Sequence, residues 1–448
     1  MSEQDVPEVQ GPEGKSGIAK TRKSPKSKIV LAAVFLVLIA LLVAGGSVFR
    51  PTQKNEPIAD APVTMALKTS QVPKDASLGV IVTYGDAEGS GWKDAANGAL
   101  VAAKRFELGG TAIALETRDD HGTKDGARAA VEELAKSKVS GIVIASAGEH
   151  VSAALEEAQK AGIPVVLPYD NGALQQYSDV YRTGPSNQDV VAALNETVKP
   201  AANPMVLNVG ATALEGLTAG QMRDIGAAED LGSVVKSVQS LASTDRGYPV
   251  DAVVINGTAQ RQAQLVAELQ KAKVSLPIAL SPQATSPVFT QTMVAENASL
   301  SNELASVGSQ SFDDAALSPG TAGQAMNSYL AVLQQMAADK DTLSLAGDRE
   351  FSEVASVADA RAHDAVIALV RAVDEARSTQ PQKVSKNLRG LVLGVDDGLT
   401  HGTLDFGNEE AFTGDTKELR LSNQDLGLRS TNQPGGSTAQ WFAVSNAE

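Results

Sequence analysis

The sequence predicts an α/β protein made of two doubly wound parallel-sheet lobes joined by a hinge, carried behind one N-terminal transmembrane helix. Three observations predict it. Short, continuously apolar runs such as Leu78–Thr83 (LGVIVT), Gly141–Ala145 (GIVIA) and Ala252–Asn256 (AVVIN) read as strands buried on both faces. Helical patterns lie between them, so the strands run parallel and the helices are crossovers. The alternation breaks at Pro200 and Pro204 and then restarts, which gives two units.

Residues 1–28 are polar, with Gly, Pro, Lys and Ser and no apolar period, and read as a disordered cytoplasmic tail. Residues 29–49 are the expected membrane span: Ile29 to Val48 carries no charge, and about 20 apolar residues cross a bilayer core. Lys15, Lys20, Arg22, Lys23, Lys26 and Lys28 precede the run, so the N-terminus is expected in the cytoplasm and the bulk of the chain outside the cell membrane. A cleaved signal peptide has a shorter apolar stretch, roughly 7–15 residues, with a small-residue cleavage site soon after. This longer run behind a long leader reads as an uncleaved anchor. Residues 50–76 hold Pro51, Pro57, Pro62 and Pro73 among polar residues and read as a linker.

The first lobe is expected over 77–183 and again over about 308–400. Its elements alternate: strand Leu78–Thr83, helix Lys93–Leu108 ended by Gly109-Gly110, strand Thr111–Thr117, helix Lys124–Lys136, strand Gly141–Ala145, helix Val151–Ala161 stopped by Gly162, strand Ile163–Leu167 and a short strand Val180–Arg182. The second lobe is expected over 184–307 and about 401–448. It reads as strand Met205–Val209, helix near Leu214–Ala228, strands Ser233–Ser240 and Ala252–Asn256, helix Ala259–Ala272, and strands Leu276–Leu280 and Leu304–Gly308. Long helices follow at Ala322–Ala338 and Asp359–Ala376, separated by Asp339–Ser352, which is polar and reads as a surface insertion. Short strand-like pieces close the chain at Gly402–Phe406 and Gln440–Val444.

Composition excludes several classes. There is no cysteine, so neither a disulfide nor a lipid-bearing cysteine anchor is available. Net charge is −15; residues 1–50 hold seven basic and four acidic side chains, leaving 31 basic against 49 acidic, about −18, in the rest. Such a surface repels phosphate backbones, and no nucleic-acid partner is expected. Aromatics are only 4%, so the core must be built from Ala, Val, Leu and Ile. Catalytic signatures are missing: there is no Gly-x-Ser-x-Gly elbow, and His121, His150, His363 and His401 are not spaced as metal ligands. No enzyme, metal or cofactor is expected. Gly85–Gly91 (GDAEGSG) lacks the spacing of a nucleotide loop and reads as a flexible cleft loop. Asp119-Asp120 stand between a strand and a helix, where a helix-capping role is expected.

In doubly wound sheets ligands sit beyond the carboxyl ends of the strands. That points to Tyr84–Gly91, Gly148–His150, Tyr169–Gly172, Asn256–Thr258 and Ser281–Ala284, each directly after an apolar run. Tyr84 and Tyr169 follow core strands and Trp92 opens the next helix, so each is a candidate ligand contact with core packing as the alternative.

Gly98-Ala99, Gly109-Gly110, Asp119-Asp120, Ala161-Gly162-Ile163-Pro164, Pro168 and Tyr181-Arg182-Thr183 lie in the order and spacing of a known first lobe. Asp251–Gly257 (DAVVING), His363-Asp364-Ala365-Val366 and Gly402–Gly407 (GTLDFG) continue the pattern. Over about 78–445 the chain resembles the type I periplasmic solute-binding proteins of the branch that binds leucine, isoleucine and valine. The resemblance implies a small, amino-acid-like ligand clamped between the lobes for ABC-type uptake or sensing, with an ABC permease or envelope proteins as partners. It places the ligand carboxylate on the loop carrying Gly148, Glu149 and His150, whose backbone amides remain although small hydroxyl residues are missing. It places Asn171, in Tyr169-Asp170-Asn171, at a ligand-bonding Thr position. In the second lobe, Thr258 after Asn256-Gly257 stands for an aromatic residue, and Gln283 for the acid that pairs with the ligand ammonium; Asp170 is the substitute acid from the other lobe. These departures support the alternative of a ligand-free structural or regulatory envelope protein that keeps the clamp fold. If the cleft is used, Tyr169→Ala with Asn171→Ala is expected to abolish solute binding in a calorimetric titration; unchanged affinity moves the site elsewhere.

Overall fold

The computed structural model describes residues 63–210, 213–243, 247–301, 303–424, 426–429 and 439–444. The tail, the expected span and the first part of the linker lie outside the described residues. Among the described residues no helix is long and apolar enough to cross a membrane.

Five strands make the first sheet: β1 (Ser77–Val82), β2 (Ala114–Asp119), β3 (Ile142–Ile144), β4 (Val165–Leu167) and β5 (Val180–Arg182). They pair in the order β2-β1-β3-β4-β5, all parallel. Helices α1 (Gly98–Leu108), α2 (Lys124–Ser137) and α3 (Val151–Ala161) are the crossovers. Strand order reverses between β1 and β3, so the loops leaving these two strands part and leave a crevice at the carboxyl edge. The expected helix from Lys93 begins later, because Ser90–Trp92 and Ala95–Asn97 form short 3₁₀ turns first.

After α4 (Asn187–Val198) the chain builds a second sheet from β6 (Pro204–Val209), β7 (Gln221–Ile225), β8 (Ala252–Gly257), β9 (Ile278–Leu280) and β10 (Leu304–Gly308), with helices α5 (Leu231–Leu241), α6 (Ala259–Lys271) and α7 (Pro287–Ala295). Here two expected elements exchange. The helix expected near Leu214–Ala228 is a loop followed by β7, whose residues alternate between half-buried and exposed before Ile225. The strand expected at Ser233–Ser240 is α5. Its valines invite a strand, but Val234, Val235 and Val238 share one helical face, and the Asp230 carboxylate accepts the Gly232 and Ser233 amides as an N-cap.

The chain then returns to the first lobe through α8 (Gly320–Ala338), α9 (Ala360–Ala376), α10 (Pro381–Leu388) and the small pair β11 (Val392–Leu393) and β12 (Leu404–Asp405). Residues 409–411 run beside β5, with the Arg182 amide on Glu409 O (2.8 Å) and the Ala411 amide on Arg182 O (2.9 Å). Residues 401–411 therefore lie with the first lobe. Only β13 (Lys417–Ser422) and β14 (Gln440–Ala443) join the second sheet, antiparallel at its edge, in the order β14-β13-β10-β9-β8-β6-β7.

The end of the linker and the surface insertion are both bonded to the first lobe. Within the linker, Leu67 is buried and its amide bonds Arg105 O (2.8 Å), while the Ser70 amide bonds the Asp374 carboxylate (3.0 Å). Within the Asp339–Ser352 insertion, the Leu345 amide bonds Asn97 Oδ1 (2.9 Å), Arg349 pairs with Asp94, and Phe351 is fully buried.

The first core is rich in small side chains. Ala95, Ala96, Ala99 and Ala102 pack with Ala362, Ala365, Ala368 and Ala372, which lets α1 and α9 approach closely. Gly98 is the tightest point: a Cβ there would lie 1.9 Å from the Asp359 carbonyl oxygen. Gly98→Ala must push the start of α9 away and is expected to cost about 1–3 kcal/mol, read as a lower denaturation midpoint with an unchanged m-value.

Candidate functional site

The loop after β1 lies against the ends of its neighbouring strands. Gly89, with φ of 94°, sits so close to β3 that a Cβ would be 2.2 Å from Ser146 Oγ and 2.8 Å from Ala147 O. The Glu88 carboxyl rests over Gly148, where a Cβ would lie 2.5 Å from its Cδ. It is pushed up by burial, against a bond from the Glu149 amide. Gly91 faces the second lobe: a Cβ on it would lie 3.1 Å from Ser286 Oγ and 3.8 Å from Ala259 Cβ. The loop expected to be flexible is thus seated between strand ends and the opposite lobe.

Trp92 is the centre of this contact. Only 1% of it is exposed. Its ring stacks on Tyr169 with centroids 4.2 Å apart and planes 3° apart. Its Nε1–H donates to Gln283 Oε1 of the second lobe at 2.9 Å. The Arg361 guanidinium lies 4.8 Å from the Trp92 ring, 5.0 Å from Tyr169 and 5.8 Å from Phe312. Asp359 holds Arg361 through both carboxylate oxygens (2.6 and 3.1 Å). An aromatic–cation stack therefore fills the middle of the seam. Beside it a small cavity of about 90 Å³ is lined by Ser286, Phe312, Asp313, Asp359, Arg429 and Trp441. Ser286 Oγ is buried with no partner among the described residues.

Of the residues expected to touch ligand, Trp92, Tyr169 and Gln283 come together here. Gly148 and Asp170 support them from below: Asp170 accepts the Gly148 amide (3.1 Å) and the Gly172 amide (2.9 Å). Burial drives the Asp170 carboxyl up against those two bonds. Both its oxygens are engaged, so it is not free to replace the missing acid at Gln283. Asn171 is half-buried next to it, and Glu149 is exposed.

Other expected residues point elsewhere. Tyr84 lines a lateral cavity of about 650 Å³ with Lys93, Asp119, Asp348 and Arg349. Its hydroxyl is pushed up to about 12 by burial first and then by the Asp348, Asp119 and Asp94 charges. Asn256 donates to Asn208 Oδ1 (3.1 Å), and Asn208 donates to Asp224 (2.7 Å), bracing three strand ends. Thr258 caps α6. Asp119 accepts the Tyr84 and His121 amides (3.1 and 2.8 Å), and Thr123, not the Asp pair, is the N-cap of α2.

His150, expected on a cleft loop, turns inward. Its Nε2 meets Asp120 Oδ2 at 3.1 Å and Ser146 Oγ at 3.0 Å, and Thr83 Oγ1 donates to Asp120 Oδ1 at 2.6 Å. Serine and aspartate share one ring nitrogen, whereas a hydrolytic triad needs one on each. The cluster, buried throughout, is structural. Sequence reasoning passed over Glu88, Asp359, Arg361 and Phe312. The signal for Arg361 was an arginine at the start of a helix, two residues after an aspartate.

Two α/β lobes, linked by repeated chain crossings and meeting at their strand-end loops, define a type I periplasmic binding protein fold. Residues 75–195 match the family model described as periplasmic binding proteins and sugar binding domain of the LacI family. Among solved structures, the chain is similar to the branched-chain amino acid transporter substrate-binding protein LivJ from Streptococcus pneumoniae in complex with isoleucine. TM-score is 0.61 at 14% identity over 82% of this chain and 99% of that one. It is similar to the leucine-binding protein LivK from Thermotoga maritima (0.56, 16%, covering 82% and 98%). A fatty acid ABC transporter substrate-binding protein from Thermomonospora curvata matches as well (0.58, 15%, covering 79% and 90%). At these identities the shared property is the fold, and these matches are binding proteins, not enzymes. No curated protein matches the chain.

Burial raises the Asp120 carboxyl, but bonds from His150, Thr83 and the Gly122 amide outweigh it and leave it below the usual range. A depressed carboxyl stabilises the fold fully above its unfolded pKa, near 3.9, and that contribution is lost as pH falls further. Asp120→Asn is expected to flatten this part of the acid response. Urea midpoints measured from about pH 5 down to about pH 2 should fall less steeply in the variant than in the parent.

Proposed function

We propose that this chain is a membrane-anchored extracytoplasmic solute-binding protein. It clamps a small polar organic molecule, an amino acid or a relative, between its lobes and delivers it to an ABC-type permease or reports its presence. The observation that carries the reading is the direct bond between strand-end loops of opposite lobes, Trp92 Nε1 to Gln283 Oε1 at 2.9 Å. Hinge motion that parts the lobes breaks this contact and uncovers the loops where doubly wound sheets bind ligands. The uncharged run from Ile29 to Val48 behind a basic segment supports the anchor and the outward orientation. The solutes named for similar structures range from isoleucine to fatty acid, so the fold accommodates a carboxylate with an apolar body.

A second reading has its own support. The stack of Trp92, Tyr169 and Arg361 fills the seam, and Gln283 stands in place of an acid. A closed clamp of this kind suits a structural or regulatory envelope protein.

Titration of the full chain with amino acids, short peptides and small amides is expected to give heat and a raised melting temperature with at least one of them. No heat and no shift with any would leave the second reading. Affinity capture from membranes separates the two by partner: permease and ATPase subunits for the receptor, wall-synthesis enzymes for the scaffold.

A further inference from the structure

Trp92 has the contacts of a bound molecule. Tyr169 supplies a flat face at 4.2 Å, Gln283 supplies an acceptor for the indole N–H at 2.9 Å, and Arg361 supplies a cation 4.8 Å from the ring. Tyr169, and Arg361 at the start of α9, belong to the first lobe, and Gln283 belongs to the second. The segment that carries Trp92 is pinned on both sides of it. Glu88 and Gly89 are seated on Gly148, Ser146 and Ala147, and Gly91 lies against Ser286. Ser286 Oγ, buried without a partner among the described residues, is a polar group left over at the same seam. Trp92 and Tyr169 continue the first core toward the seam, and the bond to Gln283 carries that contact across to the second lobe.

We propose that Trp92 is an intramolecular occupant of the interlobe site, and that the solute the site takes is a planar aromatic molecule carrying an N–H donor, which displaces the indole from Tyr169 and Gln283. This rests on the receptor reading above and narrows its ligand class. An aliphatic side chain reproduces the area of the indole but neither the stack nor the contact with the guanidinium. A ring without a donor leaves the Gln283 carbonyl, on a half-buried side chain, unpaired when the lobes close, and an acceptor drawn from water without a partner is penalised.

The test is chemical rescue. Trp92→Gly removes the occupant and leaves a gap lined by Tyr169, Arg361 and Gln283. Small-angle scattering of the full chain in detergent should show a larger radius of gyration for Trp92→Gly than for the parent, and added indole should restore the parent value. 1-Methylindole, which lacks the donor, should bind about tenfold more weakly than indole in calorimetry, the cost of one buried hydrogen bond. L-Leucine should neither close the variant nor bind it better than indole. Gln283→Leu keeps the bulk and removes the acceptor, so it should also open the lobes and carries the test if Trp92→Gly does not fold. Variants that stay as closed as the parent, or closure by leucine equal to closure by indole, overturn the proposal. The receptor reading fails on a different result, a parent chain that binds no solute of the amino-acid and indole panel although its variants open as expected.

Discussion

The seam between the lobes depends on one buried assembly, the Trp92 indole held between Tyr169, Arg361 and Gln283. Each component is modest: an aromatic stack contributes roughly 0.5–1.5 kcal/mol beyond its buried area. A desolvated cation–π contact contributes about 2 kcal/mol, and the indole hydrogen bond about 1 kcal/mol. Together they amount to a few kcal/mol. Of these three contacts only the hydrogen bond crosses the seam, because Trp92, Tyr169 and α9 all belong to the first lobe; the stack and the cation hold the indole in place for that bond. Asp359 makes the arrangement tolerable by pairing with Arg361, which would otherwise be an isolated buried charge.

Beneath the seam, the strand ends are braced by polar groups whose capacity is used up locally. Asp170 holds the Gly148 and Gly172 amides, Asp120 holds His150 and Thr83, and Asn256 reaches Asn208. These contacts fix the loops from which Trp92, Tyr169 and Gln283 project. Their cost in desolvation is offset by this pairing, with His150 Nδ1 the one buried atom of these groups left without a partner among the described residues. Polar residues at strand ends therefore divide into a layer that faces the opposite lobe and a layer below it that shapes the loops.

Much of the fold was legible because parallel strands buried on both faces leave an unmistakable apolar run, as in GIVIA and AVVIN, and because Gly162 marks a helix limit by its own chemistry, whereas the cap of α2 was read at the Asp119-Asp120 pair and lies at Thr123. The exchange of helix and strand between Leu214 and Leu241 shows where that fails. There β-branched residues at helical spacing and an exposed alternating strand give opposite signals from propensity and from period. Within the site, the strand-end rule pointed to Tyr169 and Gln283, and Trp92 stood out as the residue opening the next helix, but the rule could not separate side chains that face the other lobe from those that turn inward, as His150 does. That choice depends on partners far away in sequence, such as Asp120 beneath His150 and Asp359 beside Arg361. In the glycine loop, glycine permits close approach to a neighbouring backbone as readily as it permits motion, and Gly89 makes such an approach to Ala147 O.

Leu67, Ser70 and Gln71 bind Arg105 and Asp374, all in the first lobe. Any pull arriving through the chain ahead of Val63 is consequently taken up by that half of the molecule alone. In the proposed receptor the other half carries no such load and is the part at liberty to swing.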